Sequence, residues 1–382
     1  MRKWATLLVL CAIATPALAA KMLSIEQTEG LLYKLKGKPD GKVAAELDQV
    51  QLTERVSPAR LAHWESEFPG ARAHEEMMRL ADLSAFQNPP VDDVLRDPEP
   101  DANTQVQILT LAAKYVRATI ARLPDFFATR DTTHFESFVS QHMDYSVGSP
   151  GAGGIEEHPS ISSLSIKQAG IDSITQIEAL HSAGQFSATV TYRDGHEVPD
   201  VAKKEKKEPR IGLTSSGEFG PVLAVVLGDA LQSKISWLRW EQGASEPEAV
   251  FQFTVPENKS HFSVSITEGD QTVAVVPAYH GEIEIDPATG EILRLSEIAD
   301  MTPPRQDMRA AIMVEFAPVT ISGRTYVCPV RSVAFSRFPD PNAAQGPVMP
   351  MQTELNDVAF TNYHELRSDM RILANDGSAP AA

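Results

Sequence analysis

Cysteine is almost missing from this chain of 382 residues: Cys11 and Cys328 are the two that occur. Cys11 falls inside a leader-like N-terminal segment, so a chain trimmed there keeps Cys328 alone. No intramolecular disulfide is then open to it, and the fold has to stand on packing. Cys328 lies in Tyr326-Val327-Cys328-Pro329-Val330, a strand-like run with no cationic neighbour in sequence, and reads as a buried inert thiol. Basic charge is also short: 34 Lys and Arg face 51 Asp and Glu, for a formal net charge of −17. That balance argues against nucleic acid and anionic membrane surfaces, both of which reward basic patches. Beyond the leader no apolar run approaches the ~20 residues that cross a bilayer. The common catalytic signatures are missing too. Ala73-His74-Glu75-Glu76-Met77-Met78 has the first half of a His-Glu-x-x-His zinc helix and lacks the second histidine. There is no Gly-x-Ser-x-Gly elbow, phosphate loop, dinucleotide fingerprint or calcium loop, and Gly151-Ala152-Gly153-Gly154 lacks the strand–helix setting of a phosphate cradle.

What is present begins with the leader. Met1-Arg2-Lys3 is a short basic start, Trp4 to Ala14 is an apolar run, Pro16 breaks it, and Ala17-Leu18-Ala19 supplies small residues for cleavage. This pattern predicts a secretory signal over residues 1–19 and a periplasmic or extracellular mature chain without stable membrane insertion. An uncut N-terminal anchor and a lipoprotein acylated at Cys11 are the rival readings. Loss of Arg2 and Lys3 with the leader takes the net charge from −17 to −19.

Residues 20–127 read as a helical domain. Ser24 with Gln27 has capping-box spacing, followed by the apolar face Leu31, Leu32 and Leu35 and a stop at Gly37. Asp40 opens a second helix. Ser57-Pro58 opens a third, with the face Leu61, Trp64 and Phe68, and Pro69-Gly70 separates it from a fourth over about 71–86. Short helices with brief joints predict antiparallel hairpins packed on one another. After the acidic, proline-rich connector 88–100, a longer helix over 103–123 carries Val106, Leu109, Ala113, Val116 and Ile120 as its predicted stripe.

From 128 to 340 the chain turns to β-type alternation. Phe186 to Tyr192 alternates and ends in the Asp194-Gly195 turn, a hairpin signal. Runs at 250–255, 262–266, 272–276, 283–295, 312–321 and 325–334 read as further strands of one antiparallel sheet, with a short helix near 220–231. Residues 341–382 read as a proline-rich linker and a C-terminal segment. The fold class is α+β: helical hairpins, then a large antiparallel sheet, which the resemblance below implies is curved, an open half-barrel.

Within the sheet, Ile283-Glu284-Ile285-Asp286-Pro287-Ala288-Thr289-Gly290-Glu291-Ile292-Leu293-Arg294-Leu295 is a strand, a tight turn and a strand, and Val319 to Ser332 is a second such pair. Over roughly 245–335 this pattern resembles the open β-barrel of the periplasmic lipoprotein-carrier family, and the whole chain resembles uncharacterised secreted bacterial proteins. The resemblance implies a curved sheet and a carrier role; its motifs are turns and strands and transfer no catalytic residue.

Two sets of residues are candidates for a site. Trp237, Trp240, Phe251 and Phe253 are aromatics suited to lining an apolar cavity, with core packing as the competing explanation. His280 and Glu282 stand two apart on a strand and so share a face; joined by His196 or His364 they would make a zinc set, with chance pairing as the alternative. No cofactor is implied. The expected function is a non-catalytic binding or carrier-like protein for an apolar or lipid ligand. The alternatives are an envelope interaction protein and a secreted zinc-dependent hydrolase.

Overall fold

A computed structural model describes residues 21–137, 180–198, 221–243, 246–268, 271–339 and 351–366. The predicted leader, the Gly148–Gly154 loop, the linker at 340–350 and the last residues lie outside them. In chain order the elements are β1 (Lys21–Leu23), α1 (Ile25–Leu35), α2 (Asp40–Leu47), β2 (Val50–Leu52), α3 (Pro58–Glu67), α4 (Ala71–Ser84), β3 (Val94–Leu95), α5 (Ala102–Arg122), β4 (Phe126–Ser137), β5 (Leu180–Arg193) and β6 (His196–Val198). Then come α6 (Pro221–Leu231), β7 (Lys234–Gln242), β8 (Pro247–Val255), β9 (Val264–Glu268), β10 (Gln271–Val275), β11 (Ala278–Ile285), β12 (Ile292–Asp300), β13 (Arg309–Ile321), β14 (Arg324–Pro339) and β15 (Met351–Glu365).

The helix starts follow from their caps. Ser24 accepts from the Gln27 amide while the Gln27 side chain accepts from the Ser24 amide, a complete capping box, and Ser57 caps α3 with Pro58 in its first turn. These helices share a core of Ile25, Leu32, Val43, Leu47, Trp64, Met77 and Leu80, and the parallel pair β1–β2 lies beside it.

Eleven strands form one unclosed sheet in the order β3-β7-β8-β11-β12-β13-β14-β15-β4-β5-β6, with antiparallel neighbours throughout. Both end strands are short, two residues in β3 and three in β6. Asp194-Gly195 and Ser322-Gly323 turn their hairpins with positive φ at both residues, as two-residue turns of this hand require. β9 and β10 form a separate ribbon.

The sheet has a layer on each side. On one side lie α5 and α6, over Phe251, Phe253, Ile283, Ile285, Leu295 and Val314. On the other lies the end of α4, where Leu83, Ala85 and Phe86 meet Met313, Val333, Phe335 and Leu355.

Two expectations need correction. The α5 stripe holds at Leu109, Ala113 and Val116, which pack on the core, but Val106 is 62% exposed and Ile108 and Ala112 join the buried line. The helix packs directly on the Asp286–Gly290 turn. A Cβ at Gly290 would come within 2.5 Å of the Leu111 backbone, and its φ of +80° independently calls for glycine. The segment after 341 is also more than linker and tail: β15 pairs with β14 and β4 in the sheet interior. Its polar residues Glu354, Asn356 and Asp357 are buried, so its hydropathy hides a strand covered on both faces.

Candidate functional site

The predicted aromatics do assemble. Trp237 sits across from Phe251 in the β7–β8 register, and Phe253 across from Ile235. Trp237 meets Phe251 edge-on at 5.4 Å and Trp240 at 4.8 Å, while Phe253 meets Tyr279 at 5.7 Å. Phe251 and Phe253 are fully buried beneath the helices; Trp237 and Trp240 are half-buried. The Trp240 indole donates to the Pro98 carbonyl at 3.0 Å, which ties the connector to β7. The tryptophans therefore form the accessible margin of an aromatic layer whose phenylalanines are its interior.

Over this layer lies α6. Leu223, Val226, Leu227 and Ala230 face the sheet. Its one charged residue, Asp229, is turned inward: it accepts from the Tyr279 hydroxyl at 2.9 Å and from the His261 amide at 3.0 Å, and it pairs with the His261 ring at 2.7 Å. Burial, then the Asp229 hydrogen bond, push the Tyr279 phenol well above its ordinary range. Burial and then Asp229 push the Glu297 carboxyl up to about 8. The outward residues Ala224, Val225 and Leu231 are apolar and exposed.

His280 and Glu282 share a face, but different partners hold them. The His280 ring pairs with Asp300 at 2.8 Å. Glu282 is clamped by both terminal nitrogens of Arg239, at 3.1 and 2.8 Å. His196 on β6 lies seven strand spacings along the sheet from β11, on the order of 33 Å at the usual spacing. His364 lies on β15, stacked at 5.2 Å on Phe127. Among the described residues no three His, Cys, Asp or Glu side chains converge on a common metal position.

Glu282 belongs to a larger feature that was not anticipated. Glu284, Arg294, Glu315 and Arg331 stand directly opposite one another across β11, β12, β13 and β14. They form a rung of alternating sign on the α4 side of the sheet. Arg55, from the loop before α3, drops onto it and pairs with Glu241 and, at 3.0 Å, with Glu284. Arg294 bonds Glu284 at 3.0 Å and donates to the Ala85 carbonyl. Arg331 grips Asp82 of α4 and Asp357 of β15, the latter at 2.9 Å. Burial alone would raise the Glu284 carboxyl, but Arg55, Arg294 and Arg239 outweigh it and hold it below the usual carboxylate range. Glu248, buried near Glu284 and Glu241, is pushed up to about 7. This is a docking surface made of charge. Its signal in the sequence was one charge on the second face of each apolar strand, which alone reads as a solvated face.

Cys328 is the one free cysteine among the described residues; it is buried, and burial pushes its thiol up to about 12. No helix of the described residues is long and apolar enough to cross a membrane. The chain matches no protein-family model, no curated protein and no solved structure. The likeness to the lipoprotein-carrier barrel therefore rests on its turn and strand motifs.

Proposed function

We propose that this protein is an exported, non-catalytic binding module that carries an apolar ligand against helix α6, at the margin of the layer between its open sheet and helices α5 and α6. The observation that carries the reading is α6. It is apolar on every side, its single charge is folded under against Tyr279 and His261, and Ala224, Val225 and Leu231 remain exposed. A helix of that composition is ordinarily covered all round, and an uncovered apolar patch marks an interaction site. The half-buried pair Trp237 and Trp240 stands at the margin of the same layer. The unclosed sheet supports the reading, since such a sheet can admit a ligand without losing a strand. Export rests on the leader.

Titration with a long-chain alcohol, followed by tryptophan emission, tests this. Trp237 and Trp240 report from the layer while Trp64 is buried in the helical core. A saturable blue shift is expected. Its absence, together with recovery of a defined envelope partner in crosslinking, would favour the interaction-protein reading. The zinc-hydrolase reading finds no support among the described residues, because no third ligand converges on His280 and Arg239 holds Glu282.

A further inference from the structure

Of three neighbouring polar side chains on the α5/α6 side of the sheet, two hold buried acceptors without a donor. His134 of β4 lies opposite Asn356 of β15, and Glu136 opposite Glu354, on adjacent rungs. The His134 Nδ1–H donates to the Asn356 amide oxygen at 2.9 Å, which leaves Nε2 as a lone-pair acceptor. His134 is wholly buried, and its Nε2 has no hydrogen-bond partner. Glu354 is 4% exposed, and its Oε2 also has none. Glu136 faces Glu354 with a second carboxylate, and burial followed by that like charge pushes Glu354 up to about 7. Their cross-strand neighbours are small, with the Phe186 ring lying over Gly184. Gly184 stands opposite His134 on the β5 side, and Ala334 stands opposite Asn356 on β14. The Glu136 side chain is 35% exposed, so the cluster reaches solvent.

Acceptors without donors call for a donor-rich guest, because a buried unmatched acceptor costs about 1–3 kcal/mol. The spacing falls between two kinds of guest, and the number of donors decides between them. His134 Nε2 and Glu136 Oε2 are 4.0 Å apart. Two ligands on one zinc, with bonds of 2.0–2.2 Å at tetrahedral angles, sit about 3.3–3.6 Å apart. Two acceptors sharing one ammonium, at about 2.8 Å each, sit about 4.5 Å apart and tolerate some closure. An ammonium also carries three N–H donors for the three acceptor groups.

We propose that His134, Glu136 and Glu354 form a binding site for a primary ammonium group. The proposal rests on the carrier reading only for the ligand's tail: Val314 and Val358 flank this polar patch on the same face, so an amine-headed amphiphile would lay its chain on apolar neighbours.

Calorimetry on the full chain with dodecylamine, dodecanol, butylamine and dodecyltrimethylammonium decides it. Dodecylamine is expected to bind at least tenfold more tightly than dodecanol or the trimethylated analogue, which has no N–H. Glu354→Gln and Glu136→Gln are expected to remove that advantage while leaving dodecanol binding and the thermal melt in place. Equal binding of all three long-chain probes would overturn the ammonium site and leave the carrier reading standing. Butylamine binding that needs Glu354, with no gain from a long chain, would keep the site and remove the carrier reading. Binding of zinc alone, lost in His134→Ala and not displaced by amine, would overturn the proposal in favour of a metal.

Discussion

On the α4 side of the sheet, neighbouring strands meet through Glu284, Arg294, Glu315 and Arg331; on the α5/α6 side the same strands meet through Ile283, Leu295 and Val314. The charged side is directional. Each arginine has named carboxylates on a second element, so α4 and the Arg55 loop can dock in one register only. The apolar side has no such directionality. Apolar contacts tolerate sliding and exchange of neighbours, and a ligand chain can substitute for a side chain there. One sheet thus carries a fixed layer and an adaptable one.

The comparison can be broken most forcefully at Arg294. Arg294→Leu breaks the buried Arg294–Glu284 pair, leaving Glu284 to Arg55 alone and the Ala85 carbonyl without its donor, and breaking a buried pair costs about 3–5 kcal/mol. Urea unfolding should show that loss, and adding Glu284→Leu should recover part of it. Full additivity of the two would contradict a paired rung. On the other side, Leu227→Ala, buried at 5% exposure, should cost about 3 kcal/mol by leaving a cavity under α6. That cavity should also raise the affinity for a long-chain alcohol, which no charged-side variant is expected to do.

Proton linkage sharpens the contrast further. The Glu297 carboxyl is raised to about 8 by burial and then by Asp229, so the folded chain holds a proton that the unfolded chain releases near pH 4.5. Stability from this group is full below that pH and is lost as pH rises through about 8. Glu297→Gln should flatten the decline between pH 5 and 8 by on the order of 4 kcal/mol, three pH units at about 1.4 kcal/mol per unit. The smallest stability effect belongs to Val225→Gln, 40% exposed on α6. It should stay within about 0.5 kcal/mol in unfolding yet weaken alcohol binding several-fold. Unchanged binding there would detach α6 from the ligand.

Much of this organisation was legible in the sequence because it is local. Ser24 with Gln27, Ser57-Pro58, Asp194-Gly195 and the Asp286–Gly290 turn all announce themselves within a few residues. The α+β class and the antiparallel sheet follow from period and turn spacing, whereas its unclosed form was implied by the lipoprotein-carrier resemblance. What stayed hidden depends on partners far apart in the chain. Arg331 meets Asp82 across 249 positions, and Arg55 meets Glu241 across 186. β15 was hidden for the same reason, since Asn356 and Asp357 look solvated until a second layer covers them. The aromatic candidates were correctly grouped, but which of them were interior and which marginal depended on α6. His280 and Glu282 share a face as period two requires, but neither partner, Asp300 nor Arg239, was legible beforehand.

Hydrogen exchange of the full chain, with and without a saturating long-chain alcohol, tests the division of the two faces most directly. The account predicts altered protection in α6, β7 and β8, with Ile25 to Ser84 and the Arg294–Arg331 rung unchanged. Altered protection confined to the helical layer around Asp82 and Arg55, or none anywhere, would contradict it.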